Sequence, residues 1–139
     1  MITPPDVRMK DSFFQGFCIE LLNTDKHIRF VGIATGSGKL LAAKYSNNAE
    51  RRMTDEEIEQ SLMPLIMQAQ MYHKVRAVAG NLRYHIGTFE KLYSAAVPAS
   101  FDPKAEVFIL ISFELGCDPA RIIEDHIIPK IQENKDYFS

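Results

Sequence analysis

Between His27 and Glu57 the chain reads HIRFVGIAT, then GSG, then KLLAAKYS, a polar gap, and TDEE at the head of a long apolar-periodic segment. Two β-rich runs of similar length, joined by a turn that glycine tolerates best, make a hairpin. Thr54 followed three residues later by Glu57 is a capping box, so a helix starts there. A strand, strand, helix opening constrains the architecture strongly while supplying no chemistry.

The remaining elements follow from periodicity. Phe13, Phe14, Phe17, Cys18, Leu21 and Leu22 form one apolar stripe over residues 12 to 23, capped by Asp11 or Ser12. Residues 1 to 11, with Pro4-Pro5 and few apolar side chains, read as a flexible lead-in, which leaves 12 to 139 as a single domain. Strand one is Ile28 to Thr35 and strand two Lys39 to Tyr45. The polar run Ser46 to Glu50 leads to a helix over about residues 55 to 74. Leu82 to Gly87 and Lys91 to Val97 read as a second hairpin, and Val107 to Phe113 as a strand buried on both faces. Asp118 caps a last helix with Pro119 in its first turn; its stripe is Ile122, Ile123, Ile127 and Ile131, with a break or kink at Pro129. The order α-β-β-α-β-β-β-α predicts an α/β fold, a five-stranded antiparallel sheet with the long middle helix on one face and N- and C-terminal helices.

Composition excludes several function classes. Sixteen basic and 18 acidic residues are well mixed, giving a net charge of −2, so no sustained field favours nucleic acid or an anionic membrane. Arg51-Arg52 and Lys74/Arg76 read as solvated charges. Cys18 and Cys117 match no metal or redox spacing and fit a reducing, cytoplasmic setting. The N-terminus carries prolines and charges where a signal peptide needs an apolar stretch, and the longest strongly apolar run, Val107 to Ile111, is far too short to span a bilayer.

The tempting chemical motifs fail on spacing. A phosphate loop ending at Gly38-Lys39 needs its first glycine at position 33, which is Ile33, and a hydroxyl at position 40, which is Leu40. Ser37 lacks the flanking glycines of a nucleophile elbow, since Thr35 and Lys39 occupy those positions. His27, His73, His85 and His126 share no ligand spacing, and Glu90, Glu106, Glu114 and Asp118 form no catalytic pair that spacing reveals. No catalytic residue, cofactor site or metal site is expected.

The middle helix carries the one functional signal. Ile58, Leu62, Leu65, Ile66 and Ala69 make the face for the sheet, whereas Met63, Met67 and Met71 recur on the opposite side among Gln60 and Gln70. Methionine is adaptable and enriched in interface cores, so this second stripe reads as a partner surface. The competing explanation is cover by another segment, such as the first helix. Pro64 should bend the helix unless a break restarts it.

In this element order and two-faced helix, residues 12 to 134 resemble the Roadblock or dynein-light-chain superfamily, a profilin-like or longin-like fold, and small archaeal proteins of that type. The resemblance implies a homodimer that packs middle helices together and extends sheets edge to edge, acting as a non-enzymatic scaffold or adaptor for a small GTPase or another protein. Met63, Met67 and Met71 match the helix position of such a dimer, although Pro64 departs from a smooth pairing. PAS-like and profilin-like relatives imply an alternative, a sensory domain for a small ligand, for which Tyr84, His85 and Tyr93 are the suitable cluster.

Overall fold

A computed structural model describes residues 7–47, 53–100, 102 and 106–138. Residues 1–6 of the expected lead-in, 48–50 of the polar run and the Arg51-Arg52 pair lie outside the described residues.

The first helix, α1 (Val7–Leu22), begins before Asp11 and Ser12, the residues expected to cap it, so helix takes in much of the expected lead-in. A hairpin follows, β1 (Ile28–Thr35) and β2 (Leu40–Tyr45), then α2 (Asp55–Met71). The capping box is present: Thr54 Oγ1 accepts from the Glu57 amide, and Glu57 Oε1 accepts from the Thr54 amide at 3.1 Å. The helix runs unbroken through Pro64, which is exposed, so the carbonyl it cannot serve faces the solvent side. Helical winding continues past Met71 as a 3₁₀ turn, Tyr72–Val75, and a last turn, α3 (Arg76–Ala79), which ends at Gly80 with φ of 82°.

The second hairpin is shifted from its expected place: β3 (His85–Thr88) and β4 (Tyr93–Ser100) start later than Leu82 and Lys91. The Phe89 amide donates to the Leu92 carbonyl at 2.9 Å, and this closure sets the register. β5 (Val107–Phe113) lies between β1 and β4, antiparallel to both, in a sheet of order β2-β1-β5-β4-β3. Its uninterrupted apolar run thus marks a central strand covered on both faces, as expected.

The pleat sorts the core into two layers. Ile109, Ile111 and Phe113 of β5 point to α1 and the C-terminal helix, whereas Phe108 and Leu110 point to α2. On β1 a register shift against β5 between Ile28 and Phe30 changes the phase, so that Ile28 and Val31 share the first face and Phe30 joins the second. The α2 face is built by Ile58, Leu62, Leu65, Ile66 and Ala69, the five residues whose spacing assigned them to the sheet.

The C-terminal helix starts at α4 (Pro119–Ile122), where Asp118 accepts from the Arg121 amide at 3.2 Å. It passes Pro129 without the expected break. A π turn at Ile123–Ile127, in which the Ile128 amide reaches back to the Ile123 carbonyl, leads into α5 (Ile128–Glu133). The wider turn shifts the carbonyls that a straight α-helix would set against the proline ring. Ile122, Ile123, Ile127 and Ile131 are all buried. Phe13 stacks on Tyr137 with ring centroids 3.9 Å apart, and Lys130 Nζ meets Glu20 Oε1 at 2.7 Å, so α1 and the C-terminal helix close over this face together.

Among the described residues no helix is long and apolar enough to cross a membrane.

Candidate protein-binding face

The outer side of α2 carries exposed apolar side chains among polar ones such as Gln60. Met67 and Met71 are 56% and 66% exposed. Exposed apolar residues continue beyond the helix end expected from sequence: Val75 is 49% and Val78 94% exposed. Met67 and Met71 lie one turn apart on α2, whereas Val75 and Val78 follow a 3₁₀ turn whose tighter winding breaks the spacing of that edge. Sequence reasoning ended the helix at about residue 74 and so missed these two valines. The signal was present in the apolar 3–4 spacing of Val75 and Val78.

Met63 behaves differently from the other two methionines. It is half-buried, and its sulfur lies against Gly38 so closely that any Cβ at that position would collide with it. Gly38 also has φ of 91°, where L side chains are strained, so the glycine turn is shaped to receive Met63. Met63 therefore packs inside the chain and contributes at most its rim to an outer surface.

Gln60 is exposed, but Gln70 is committed inward. Gln70 Nε2 donates to the Gly36 carbonyl at 2.8 Å and to Glu106 Oε2 at 3.3 Å, while the Gly36 amide donates to the Glu106 carbonyl at 3.1 Å. His73 Nε2 sits 3.3 Å from Glu106 Oε1, without hydrogen-bonding alignment. Leu40, at the start of β2, donates its amide to Glu59 Oε1 at 3.1 Å. These bonds tie α2 to the hairpin turn and to the head of β5, which holds the exposed stripe on a rigid element.

Amides of the same turn are engaged within the hairpin. The Gly38 amide donates to the Thr35 carbonyl at 2.9 Å, the Thr35 amide to the Lys39 carbonyl at 2.9 Å, and the Lys39 amide to Thr35 Oγ1 at 3.2 Å, so these amides close the hairpin instead of facing a ligand. Leu40 opens a strand, where a phosphate loop needs a helix N-terminus.

Tyr84, His85 and Tyr93 do not converge. Tyr84 and Tyr93 pack on the face of the sheet that carries the C-terminal helix, whereas the His85 ring lies 6.0 Å from Tyr72, below α2. Consecutive residues approaching and entering a strand project to opposite faces, so Tyr84 and His85 cannot line one pocket. Burial raises the Tyr84 phenol, helped by its hydrogen bond to Glu124.

The remaining titratable groups read as structural. Cys18 is fully buried and its thiol is pushed up to about 12 by burial; burial also raises Cys117, which is half-exposed. Neither has the lowered pKa of a nucleophile. Among the described residues no group of three or more histidine, cysteine or acidic side chains is placed to hold a metal ion.

No protein-family model matches the chain, and no curated protein matches it. Solved structures do. An MglB with a tetrameric arrangement superposes with a TM-score of 0.73 at 11% identity, covering 93% of this chain and 90% of that one. A Roadblock/LC7 domain from Streptomyces avermitilis gives 0.67 at 7% identity over 88% of this chain and 95% of its own. The gliding protein MglB from Thermus thermophilus gives 0.60 at 9% identity, over 91% and 83%. At such low identity the likeness is one of fold: the chain has a Roadblock/LC7-like fold.

Proposed function

We propose that this chain is a non-enzymatic adaptor of the cytoplasm that works as a homodimeric protein-binding platform, paired through the outer face of α2 and its 3₁₀ extension. The observation that carries the proposal is the exposure of Met67 and Met71, two large apolar side chains one turn apart on a helix fixed to the sheet, with Val75 and Val78 exposed just beyond its end. Soluble monomers rarely leave large apolar side chains grouped in water. Pairing two copies across this face would bury a surface in the ordinary range for stable dimers, roughly 1,200 to 2,000 Å² in total.

Met67 and Met71 stand at the centre of the proposed interface and Gln60 on its polar rim, while Met63 and Gln70 support it from below. A small GTPase is the partner class that the resemblance suggests for the assembled platform. Tyr84, His85 and Tyr93 do not supply the pocket of the sensory reading, because Tyr84 and Tyr93 lie across the sheet from His85.

The test is the mass in solution. Light scattering behind a sizing column should report a dimer at micromolar concentration for the wild type. Met67→Glu should report a folded monomer, because two carboxylates near a two-fold axis in a desolvated patch repel each other. A wild type already monomeric, or a Met67→Glu protein that remains dimeric, would remove the platform proposal.

A further inference from the structure

A groove of about 380 Å³ opens on the opposite side of the sheet from Met67 and Met71, between the end of β4 and the C-terminal helix. Four consecutive residues of β4, Val97 to Ser100, line it. Side chains alternate across a strand, so a pocket on one face touches every second residue; contact with all four means that the groove runs along the strand's edge. The edge is open there because β3 pairs only with Tyr93 to Ala96 of β4.

An open edge invites a peptide strand, but this one is blunted. The Phe89–Leu92 pair is hydrogen-bonded, and alternation along the ladder makes His85–Ala96 hydrogen-bonded too. The next β4 residue whose amide would face the open side is Pro98, which has no N–H. A small molecule suits the groove better than a strand.

Its chemistry is set by what surrounds it. Val97, Ala99, Ile128, Ile131 and Phe138 supply apolar walls. The polar members are Arg83, Ser100, Gln132 and Lys135, and among the described residues lining the groove none is acidic. Arg83 is already held by Glu124, its two terminal nitrogens each 2.7 Å from a carboxylate oxygen. Lys135 forms no ion pair among the described residues, so the uncompensated charge of the groove is its ammonium.

We infer that this groove binds an amphipathic carboxylate, with an unbranched acyl chain between Val97, Ile128, Ile131 and Phe138 and the carboxylate at Lys135 and Gln132. The volume and the balance of apolar wall to a few polar groups are those of a small-molecule site. This inference is independent of dimerisation through α2.

The experiment is a titration of the full chain with decanoate, below its micelle concentration, followed by calorimetry and by backbone amide shifts. Decanoate should bind with amide shifts confined to 97–100 and 128–138, and each methylene added from hexanoate upward should tighten binding about fourfold until the groove is full. Decanol should bind about tenfold more weakly, and Lys135→Gln should remove that difference. Ala99→Phe should abolish binding by filling the groove; if that variant fails to fold, the exposed Lys135→Gln substitution still decides the matter. No binding at millimolar decanoate, shifts mapping elsewhere, equal affinity for decanol, or contacts showing that residues 1–6 already occupy the groove would each overturn the inference.

Discussion

The two faces of the sheet differ in how completely they are covered. On one, α1 and the C-terminal helix share the area and are stapled by Phe13, Tyr137 and the Lys130–Glu20 pair. On the other, α2 lies alone: its inner side meets Phe30, Phe108 and Leu110, and its outer side carries the exposed Met67 and Met71, with Val75 and Val78 exposed just beyond its end. A face covered by two helices is finished within one chain. A face covered by one helix leaves that helix a second side, and what occupies that side decides what the chain does. Stability and association should therefore separate by face.

The sharpest way to break this contrast is through the finished face. Ile109 is fully buried there, so Ile109→Ala should cost roughly 2 to 5 kcal/mol through lost transfer energy and a residual cavity, seen as a lower denaturation midpoint that does not depend on protein concentration beyond the wild-type trend. A midpoint barely changed would mean that β5 is not the central strand. The unfinished face should respond differently. If two copies share it, the thermal midpoint of the wild type rises with concentration, and Met67→Glu abolishes that dependence while leaving far-ultraviolet dichroism intact.

A smaller effect tests whether α2 is held by its own start signal. Thr54→Ala removes the side chain that accepts the Glu57 amide and should cost about 1 kcal/mol, with Thr54→Ser close to neutral. A loss several times larger would indicate that the helix depends on a partner for its order.

The smallest effect lies on the finished face, at the turn between α1 and β1. Burial raises the Asp25 carboxyl, but hydrogen bonds from the His27 amide and ring outweigh it, and the net position is below the ordinary 3.8. A depressed carboxyl stabilises the fold above the unfolded value, and that contribution is lost as pH falls through the folded one. Asp25→Asn should thus cost a few tenths of a kcal/mol near neutrality, roughly, given its partial exposure, and nothing at strongly acid pH. A cost that grows on acidification would contradict the assignment.

Much of this was legible from residue pattern. The capping box, the β1–β2 hairpin, the doubly buried run of β5 and the five sheet-facing residues of α2 are local signals, and local physics decided them. What escaped depends on distant partners or on the phase of neighbouring side chains. By periodicity Met63 and Gln70 belong to the outer side of α2, yet the glycine turn and Glu106 draw them inward, and no spacing within α2 reveals that. The prolines of the N-terminus hid an earlier start to α1, and Val75 and Val78 lay beyond the expected helix end. Grouping Tyr84 with His85 ignored a rule that the sequence does contain, since neighbours along an extended chain face opposite ways.

The π turn before Pro129 can be read as a correction of angular phase. In a straight α-helix the buried positions 123, 127 and 131 drift by about 40° at each step, so that Ile131 would sit about 80° from Ile123 and turn away from the sheet. A wider turn winds less per residue and cancels that drift, which keeps Ile123, Ile127 and Ile131 on one line. The segment therefore behaves as a vernier between two helical pieces: its five-residue turn covers about the angle of four α-helical steps, so one extra residue is absorbed and Phe138 keeps its aromatic contacts with α1.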